Sequence, residues 1–184
     1  MHNDIQFKCL IEKFPDLWER KTIEKKTLLY EENKSITKLY YSEKGRARIY
    51  KIHKHNKKEK EVTIGFFFEK EPVIPIVALI KNVVPFVDIE TIDDCVMQVI
   101  TIENWKKIEK QEPLLIKDIL FGISIDILQI FYDYQLFNSY NAETRIKEFF
   151  KRWPQLKDVK NEYIASLFGN DDIHLYKKRK ELGL

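Results

Sequence analysis

Residues 113–140 are the stretch that most constrains how this chain can fold. Most side chains here belong to Leu, Ile, Phe and Tyr, and a polar or small residue recurs every three or four positions, at Asp118, Gly122, Asp126, Gln129 and Asp133. This spacing is the period of an α-helix with one narrow polar stripe, and the rest of such a helix requires burial. A helix of this length extends for about 40 Å at 1.5 Å per residue, more than one small globule needs. We therefore expect it to join two modules.

The apolar surface of this predicted helix needs a partner. Four large residues recur at intervals of four, three and four positions, which places them on one side of a helix: Phe121, Ile125, Leu128 and Tyr132. One hypothesis is that this side pairs with the same helix of a second subunit, so that the protein is a homodimer. The other is that the helix is the buried core helix of a single domain. At this point both remain open.

Composition places the chain among ordinary globular proteins. Hydrophobic residues occupy 44% and charged residues 33% of the 184 positions, and the formal net charge of +3 is too small to predict binding to a polyanion by the whole surface. The charge is unevenly distributed, because residues 177–180 are all basic. This basic segment either contacts phosphates or is a solvated helix end that complements the helix dipole.

Cysteine usage and hydropathy indicate the compartment. The two cysteines, Cys9 and Cys95, are too few for a four-thiolate metal site and do not form a disulfide framework, which favours a reducing cytoplasm. The first ten residues lack the apolar core of a signal peptide, and acidic residues interrupt residues 113–140 too often for a membrane helix. We therefore expect a cytoplasmic protein with no membrane association, no cofactor and no bound metal.

Before residue 113 the pattern is mainly that of short β-strands. Strand-like runs, separated by polar or Gly turns, occur at residues 22–30, 36–41, 46–53, 61–68, 83–92 and 95–100. About one strand every ten residues is typical of a sandwich or a jelly-roll barrel. Helical spacing is found at residues 5–17 and 102–112, so the fold class is predicted to be α+β.

The segment after the long helix predicts a helix-turn-helix. Residues 142–152 have the spacing of a compact helix, and residues 161–168 and 171–182 have that of two further helices. Ala165, in the first of those two helices, lies where they would cross closely. Gly169, which follows that helix, permits the left-handed backbone of the turn. Ile164 and Leu175 supply the apolar contact between the helices.

Several motifs follow one another in an order that is informative. Residues 141–145 read NAETR, residues 153–156 read WPQL, and residues 163–169 read YIASLFG. Residues 39–50, LYYSEKGRARIY, combine a strand, a Gly turn and an R-x-R-x-Y strand, and EVTIGFF follows at residues 61–67. Together these motifs resemble the CRP/FNR family of transcription regulators, in the form common among Bacteroidetes, over about residues 22–180.

The resemblance implies a fold and a function. It implies a cyclic-nucleotide-binding-like β-roll (jelly-roll) sensor domain at residues 1–112, a dimerisation helix at 113–140, and a helix-turn-helix DNA-binding domain at 141–184. The protein would be a DNA-binding transcription regulator and homodimer, not an enzyme, with RNA polymerase as a possible partner and an unknown small-molecule effector.

The resemblance also assigns DNA-contacting positions. Asp172, Ile173 and Lys177 would face base edges, Asp171 and His174 would lie near phosphates, and the basic segment of Lys177, Lys178, Arg179 and Lys180 would contact phosphates. The sequence departs from the family pattern, because two acids and Ile replace its usual Ser or Thr, Glu, Thr and Arg. Carboxylates beside phosphate oppose binding. The alternative is a dimeric interaction module that keeps the fold without binding DNA.

The cyclic-nucleotide cassette of the family is missing. Its Gly-Glu pair aligns with Ile74 and Pro75, and its Arg-Ser or Arg-Thr pair falls near Pro85 and Phe86. An anionic ligand would lose charge-assisted hydrogen bonds worth about 1.5 to 3 kcal/mol each. We therefore expect no binding of cyclic AMP or cyclic GMP. Apolar residues at these places, such as Ile76, Val77 and Val84, would fill the roll or line an apolar pocket.

The remaining alternative is a metal enzyme. His53, His55 and Glu59 resemble the first metal motif of cupins, which are also β-rolls, and two imidazoles at i and i+2 of a strand share one face. The second cupin motif is absent, and lysines surround the first. This hypothesis is therefore less favoured than the regulator.

Overall fold

The computed structural model describes residues 2–55, 58–169 and 172–184. These residues form seven α-helices and eight β-strands. The helices are α1 His2–Lys13, α2 Ile76–Lys81, α3 Ile102–Gln111, α4 Pro113–Asn138, α5 Ala142–Arg152, α6 Asn161–Leu167 and α7 Asp172–Glu181. The strands are β1 Glu19–Ile23, β2 Leu28–Tyr30, β3 Lys38–Lys44, β4 Ala47–His55, β5 Lys58–Phe67, β6 Glu71–Val73, β7 Asp88–Thr91 and β8 Cys95–Thr101.

The strands form two antiparallel sheets of four strands each. Their orders are β1-β8-β3-β6 and β2-β7-β4-β5. Strand β8 alternates buried and half-buried residues, so Cys95, Met97 and Val99 point inward. They pack with Tyr30 and Ile89 of the other sheet, so the two sheets enclose a filled interior.

A second cluster of buried side chains joins helices to the roll. Phe7 of α1 stacks on Tyr41 of β3 with ring centroids 5.6 Å apart. Trp105 of α3 and Ile119 of α4 belong to the same cluster. The first turns of α4 are therefore part of the core around the first sheet.

The two strands and the Gly turn predicted at residues 39–50 are present, but they do not form a hairpin, because β3 and β4 lie in different sheets. The basic side chains of this segment have structural partners. Gly45 lies in the turn with φ +88°. Arg46 pairs with Asp93 at 2.6 Å, and Arg48 pairs with Glu90 at 2.6 Å. Arg48 is 3% exposed and its guanidinium lies 4.3 Å from the ring centroid of Tyr50. The R-x-R-x-Y pattern thus ties β4 to the chain around β7.

Some strand limits differ from the prediction. Residues 22–30 contain the end of one strand and the whole of another, because the chain changes from the first sheet to the second after Ile23. The strand predicted at residues 83–92 begins only at Asp88. The preceding residues form a loop because Asn82 ends α2 with φ 52° and Pro85 lacks a backbone donor. Val77, Val84 and Phe86 are 52%, 42% and 58% exposed and do not fill the roll, whereas Ile74 and Ile76 are buried.

The contacts divide the chain into two compact units. The first unit comprises Met1–Lys51 and Ile64–Ile125, and the second comprises Ile52–Thr63 and Asp126–Leu184. The boundary lies inside α4, which contributes to both. A contact boundary does not define an independently folding domain, so the predicted limits 1–112, 113–140 and 141–184 stay a prediction.

Across the described part of the chain, no helix is both long and apolar enough to cross a membrane.

Candidate nucleic-acid interface

The core of the second unit is an aromatic cluster between the end of α4 and helix α5. Phe137 of α4 and Phe149 of α5 both contact Trp153, with ring centroids 5.5 and 5.0 Å apart. Phe168 lies 4.8 Å from Phe149, so the residue that follows α6 joins the cluster. These large rings come from α4, from α5 with the residue after it, and from the residue after α6. Their packing fixes the position of α5 and α6 within the second unit.

Helix α5 is anchored at its beginning by two polar residues. The Asn141 side chain accepts a hydrogen bond of 2.9 Å from the Thr144 amide, which caps the helix. Arg145 donates to the carbonyl oxygens of Phe137 and Tyr140 at 3.1 and 3.2 Å. The motif at residues 141–145 therefore specifies how the chain leaves α4 and enters α5.

Helices α6 and α7 form the predicted helix-turn-helix. Ile164 and Leu175 are fully buried and Ala165 is 1% exposed, as the close helix crossing requires. Gly169 has φ +64°, the left-handed conformation that glycine adopts without strain. Residues 170 and 171 lie outside the described part, so the predicted position of Asp171 is not covered.

The outer side of α7 carries most of the predicted DNA-contacting residues. Ile173 is 60% exposed, and His174, Lys177 and Lys180 are exposed as well. Asp172 begins the helix, but its side chain is not among those described. Sequence reasoning missed Tyr176, which is 56% exposed. The helical period, counted from buried Leu175, could have placed it about 100° away from the core side.

Arg179 is engaged within the second unit. Its guanidinium lies 4.5 Å from the ring centroid of Phe150 and donates hydrogen bonds to the Asn161 side chain and the Lys157 carbonyl oxygen, both at 2.5 Å. Burial lowers the pKa of this guanidinium from its ordinary value, although an arginine stays protonated at any physiological pH. Arg179 thus fixes the C-terminal half of α7 against α5 and the start of α6.

Lys178 is paired on the same helix. Its ammonium group lies 2.6 Å from the Glu181 carboxylate. That hydrogen bond raises the pKa of Lys178. Lys177 and Lys180 have no ion-pair partner among the described residues, which leaves these two cations available to an external anion.

A contact that the sequence did not predict joins α6 to the hairpin of β4 and β5. The backbone amide of Thr63 donates a hydrogen bond to Ser166 Oγ at 2.7 Å, and Ser166 Oγ donates to the Glu61 carbonyl oxygen at 3.3 Å. Thr63 is 2% exposed. Residues 61 and 166 are more than 100 positions apart, so no local pattern could have indicated this contact.

The positions of the cassette carry no charged side chain that could hold an anion. Ile74 is 4% exposed and lies in the core, and Pro85 is buried with its carbonyl oxygen accepting from the Asn33 amide at 2.9 Å. Among the described residues, no three His, Cys, Asp or Glu side chains are grouped so that they could hold a metal ion. The His55 side chain lies outside the described residues.

Known structures share this fold. The c-di-GMP-responsive global regulator CLP of Xanthomonas campestris is 17% identical with a TM-score of 0.73, over 96% of this chain and 91% of that chain. A protein described as a transcriptional regulator of the CRP/FNR family, from Eubacterium rectale, is 16% identical with a TM-score of 0.71, over 94% of this chain and 81% of that chain. FixK2 of Bradyrhizobium japonicum is 13% identical with a TM-score of 0.73, over 90% of this chain and 84% of that chain.

No family model and no curated protein sequence matches the chain. The structural neighbours are CRP/FNR-type transcription regulators, as the sequence motifs predicted. At these identities the likeness establishes the fold, an α+β chain with a β-roll followed by a helix-turn-helix, and the predicted fold class is confirmed.

Proposed function

We propose that this protein is a DNA-binding transcription regulator of the CRP/FNR type, which acts as a homodimer in the cytoplasm. The observation that carries the proposal is the geometry of α7. This helix is held through Leu175 on one side and presents Ile173, His174, Tyr176 and Lys177 on the other. A helix presented in this way can enter the major groove of DNA, where side chains reach base edges.

The charges of α7 support phosphate contacts in the proposed complex. Lys177 and Lys180 are exposed and unpaired among the described residues, whereas Arg179 acts as a positioning residue for the helix. We assign Ile173 and Asp172 to base contacts and Asp171 and His174 to the neighbourhood of phosphates. Lys178 can contact a phosphate only if its ion pair with Glu181 breaks.

The exposed side of α4 supports the homodimer. Phe121, Ile125, Leu128 and Tyr132 are 67%, 48%, 62% and 62% exposed in the single chain. At about 100° per residue they lie within about 60° of one another, on the side opposite Ile119 and Ile123, which are buried. Such an apolar stripe is the kind of surface that pairs with its own copy in a two-helix contact. The two copies of α7 would then reach successive major grooves about 34 Å apart.

The proposed regulator does not respond to cyclic AMP or cyclic GMP. Arg46 and Arg48 have acidic partners within the fold. Ile74 stands where the ribose hydroxyl would need a polar partner, and Pro85 stands near the place where the cyclic phosphate would need donors. Isothermal titration calorimetry with either nucleotide is expected to give no heat of binding. A micromolar dissociation constant would overturn this part of the proposal.

DNA binding is tested by selecting bound fragments from a random pool at low and moderate salt. We expect enrichment of a palindromic site with half-sites one helical turn apart. Lys177→Ala should weaken binding to all sequences and reduce the slope of affinity against salt by about one phosphate contact. Lys151→Ala, which removes an exposed lysine of α5, serves as the matched control and should leave the affinity unchanged.

A dimeric interaction module without DNA binding is the second candidate. It is favoured by the adjacent acids Asp171 and Asp172 in the sequence, the second of which begins α7, because carboxylates oppose a phosphate backbone. In that case the selection enriches no site at either salt concentration. Enrichment that appears only after Asp171→Ser is combined with Asp172→Arg would support this module. RNA polymerase is a proposed partner only if the protein is a transcription regulator. A pull-down with the DNA-bound dimer tests this interaction.

A further inference from the structure

The first unit contains a cavity that neither the roll interior nor the DNA-reading helices use. Its volume is about 410 Å³, within the range of small-molecule sites. Helix α2 and the turn after it form one wall, with Leu79 and Val83, while Trp105 of α3 and Leu120 of α4 form the other. None of the four cassette positions 74, 75, 85 and 86 lines it, so it differs from the place where a cyclic nucleotide would lie.

Part of the wall of this cavity is apolar and incompletely covered, and the polar lining residues are Ser35, Asn82, Lys106 and Glu109. Ile80, Val83 and Val84 line it and are 54%, 52% and 42% exposed. The backbone holds them there, because α2 ends at Asn82 in the left-handed conformation, with its amide bonded to the Ala78 and Leu79 carbonyl oxygens. A ligand with an apolar body would remove this surface from water, which is the main favourable term for such sites.

The lip of the cavity carries one positive and one negative side chain. Lys106 and Glu109 lie three positions apart on α3, which places them on one side of the helix. Both are exposed, and neither has an ion-pair partner in the part of the chain that the structure describes. A purely anionic head group would be repelled by Glu109, and a purely cationic one by Lys106. Only a head group that carries both charges complements the pair.

We propose that this cavity binds a small molecule with an apolar body and a zwitterionic head, of the class of apolar α-amino acids. The carboxylate lies at Lys106, the ammonium group lies at Glu109, and the apolar chain enters between Leu79, Val83 and Trp105. The site belongs to the first unit alone and does not depend on DNA binding.

Three probes with the same chain length separate the contributions of the head groups. Isothermal titration calorimetry of the full chain with 2-aminooctanoate, octanoate and octylamine should give the tightest binding for the zwitterion, by at least about fivefold over each singly charged probe. No binding of 2-aminooctanoate, or equal affinities for all three probes, would overturn the proposal.

Charge-specific variants test the assignment of the two side chains. Glu109→Gln should remove the preference over octanoate, and Lys106→Met should remove the preference over octylamine. Lys110→Met, which changes a lysine of α3 outside the cavity, should bind all three probes as the wild type does.

Val83→Trp fills the lip at a half-exposed position and should abolish binding without disturbing the core. Equal effects of Lys106→Met and Lys110→Met, or undiminished binding by Val83→Trp, would refute the site.

Discussion

The backbone amide of Thr63 donates a 2.7 Å hydrogen bond to the Ser166 hydroxyl, and so joins the edge strand β5 to the first helix of the helix-turn-helix. Ser166→Ala removes the acceptor and leaves a buried amide unsatisfied, since Thr63 is 2% exposed. We expect this change to lower the free energy of unfolding by about 1 to 3 kcal/mol. Hydrogen exchange at the Thr63 amide, together with urea unfolding, measures both the local and the global effect.

Ser139→Ala is the matched control for that prediction. Ser139 Oγ donates to the Leu136 carbonyl oxygen at 2.6 Å, an exposed contact within one helix end. Its loss should change stability by less than about 0.5 kcal/mol. If exchange at Thr63 stays as slow in Ser166→Ala as in the wild type, the hydrogen bond does not protect that amide.

Leu128→Asp is expected to make the protein monomeric. Leu128 is 62% exposed in the single chain and lies in the middle of the stripe of Phe121, Ile125 and Tyr132. A carboxylate there would be buried against an apolar partner in the proposed dimer, which costs several kcal/mol per ion. Light scattering during size-exclusion chromatography gives the molar mass directly.

The control for the dimer prediction adds the same charge elsewhere on α4. Asn138→Asp changes an exposed residue that lies about 110° around the helix from the stripe, and this variant should keep the mass of the wild type. A Leu128→Asp protein that remains dimeric would remove the stripe from the interface.

Gly45→Ala should destabilise the first unit strongly. The glycine has φ +88°, and a Cβ atom there would lie 2.6 Å from Cys95 Sγ and 2.9 Å from the Asp94 carbonyl oxygen. The backbone conformation and the overlap together should cost about 2 to 4 kcal/mol of unfolding free energy. Gly183→Ala, with φ +68° but open space around it, should show only the backbone cost of about 1 kcal/mol in urea unfolding. Equal losses in the two variants would exclude the contact with Cys95 as a cause.

Asp133 holds the second half of α4 to α5. Its carboxylate is 8% exposed and accepts hydrogen bonds from Gln129 Nε2 and Arg152 Nε, both at 3.0 Å. Asp133→Ala should lower the free energy of unfolding by about 1.5 to 3 kcal/mol, because both bonds involve a charged group. Glu143→Ala breaks an exposed pair with Lys147 and should leave the midpoint of urea unfolding unchanged. A midpoint in Asp133→Ala that equals that of Glu143→Ala would contradict the prediction.

Stability should fall at high pH because of Cys95. Burial, assisted by the negative charge of Asp93, raises the pKa of this thiol from 9.0 to about 11. Between these two values the unfolded chain releases the proton and the folded chain keeps it, so the free energy of unfolding decreases as the pH rises, with a slope of at most about 1.36 kcal/mol per pH unit. Urea unfolding at several pH values measures this slope. Cys95→Ala should show a smaller slope over the same window, and identical slopes would contradict the assignment to Cys95.

Local periodicity and turn chemistry made much of the fold predictable. Helix α5 was predicted with the limits that the structure has, since a capping Asn and a Trp-Pro pair mark its ends. The crossing of α6 and α7 followed from Ala165 and Gly169. Prediction failed at residues 83–87, where an apolar run has strand-like composition but Asn82 and Pro85 make a loop. Apolar content alone does not distinguish a strand from an exposed loop.

By itself, the sequence determined the order of the parts, the helix-turn-helix and the apolar stripe on α4, because each depends on residues within a few turns of one another. Only the tertiary structure decided which basic side chains are bound within the fold and which are open to solvent. It uses Arg46, Arg48 and Arg179 within the fold and leaves Lys106 and Lys177 open to solvent. It also brings Thr63 to Ser166 and closes a cavity between α2, α3 and α4. These relations join residues that are distant in sequence, and the packing of the whole core sets them.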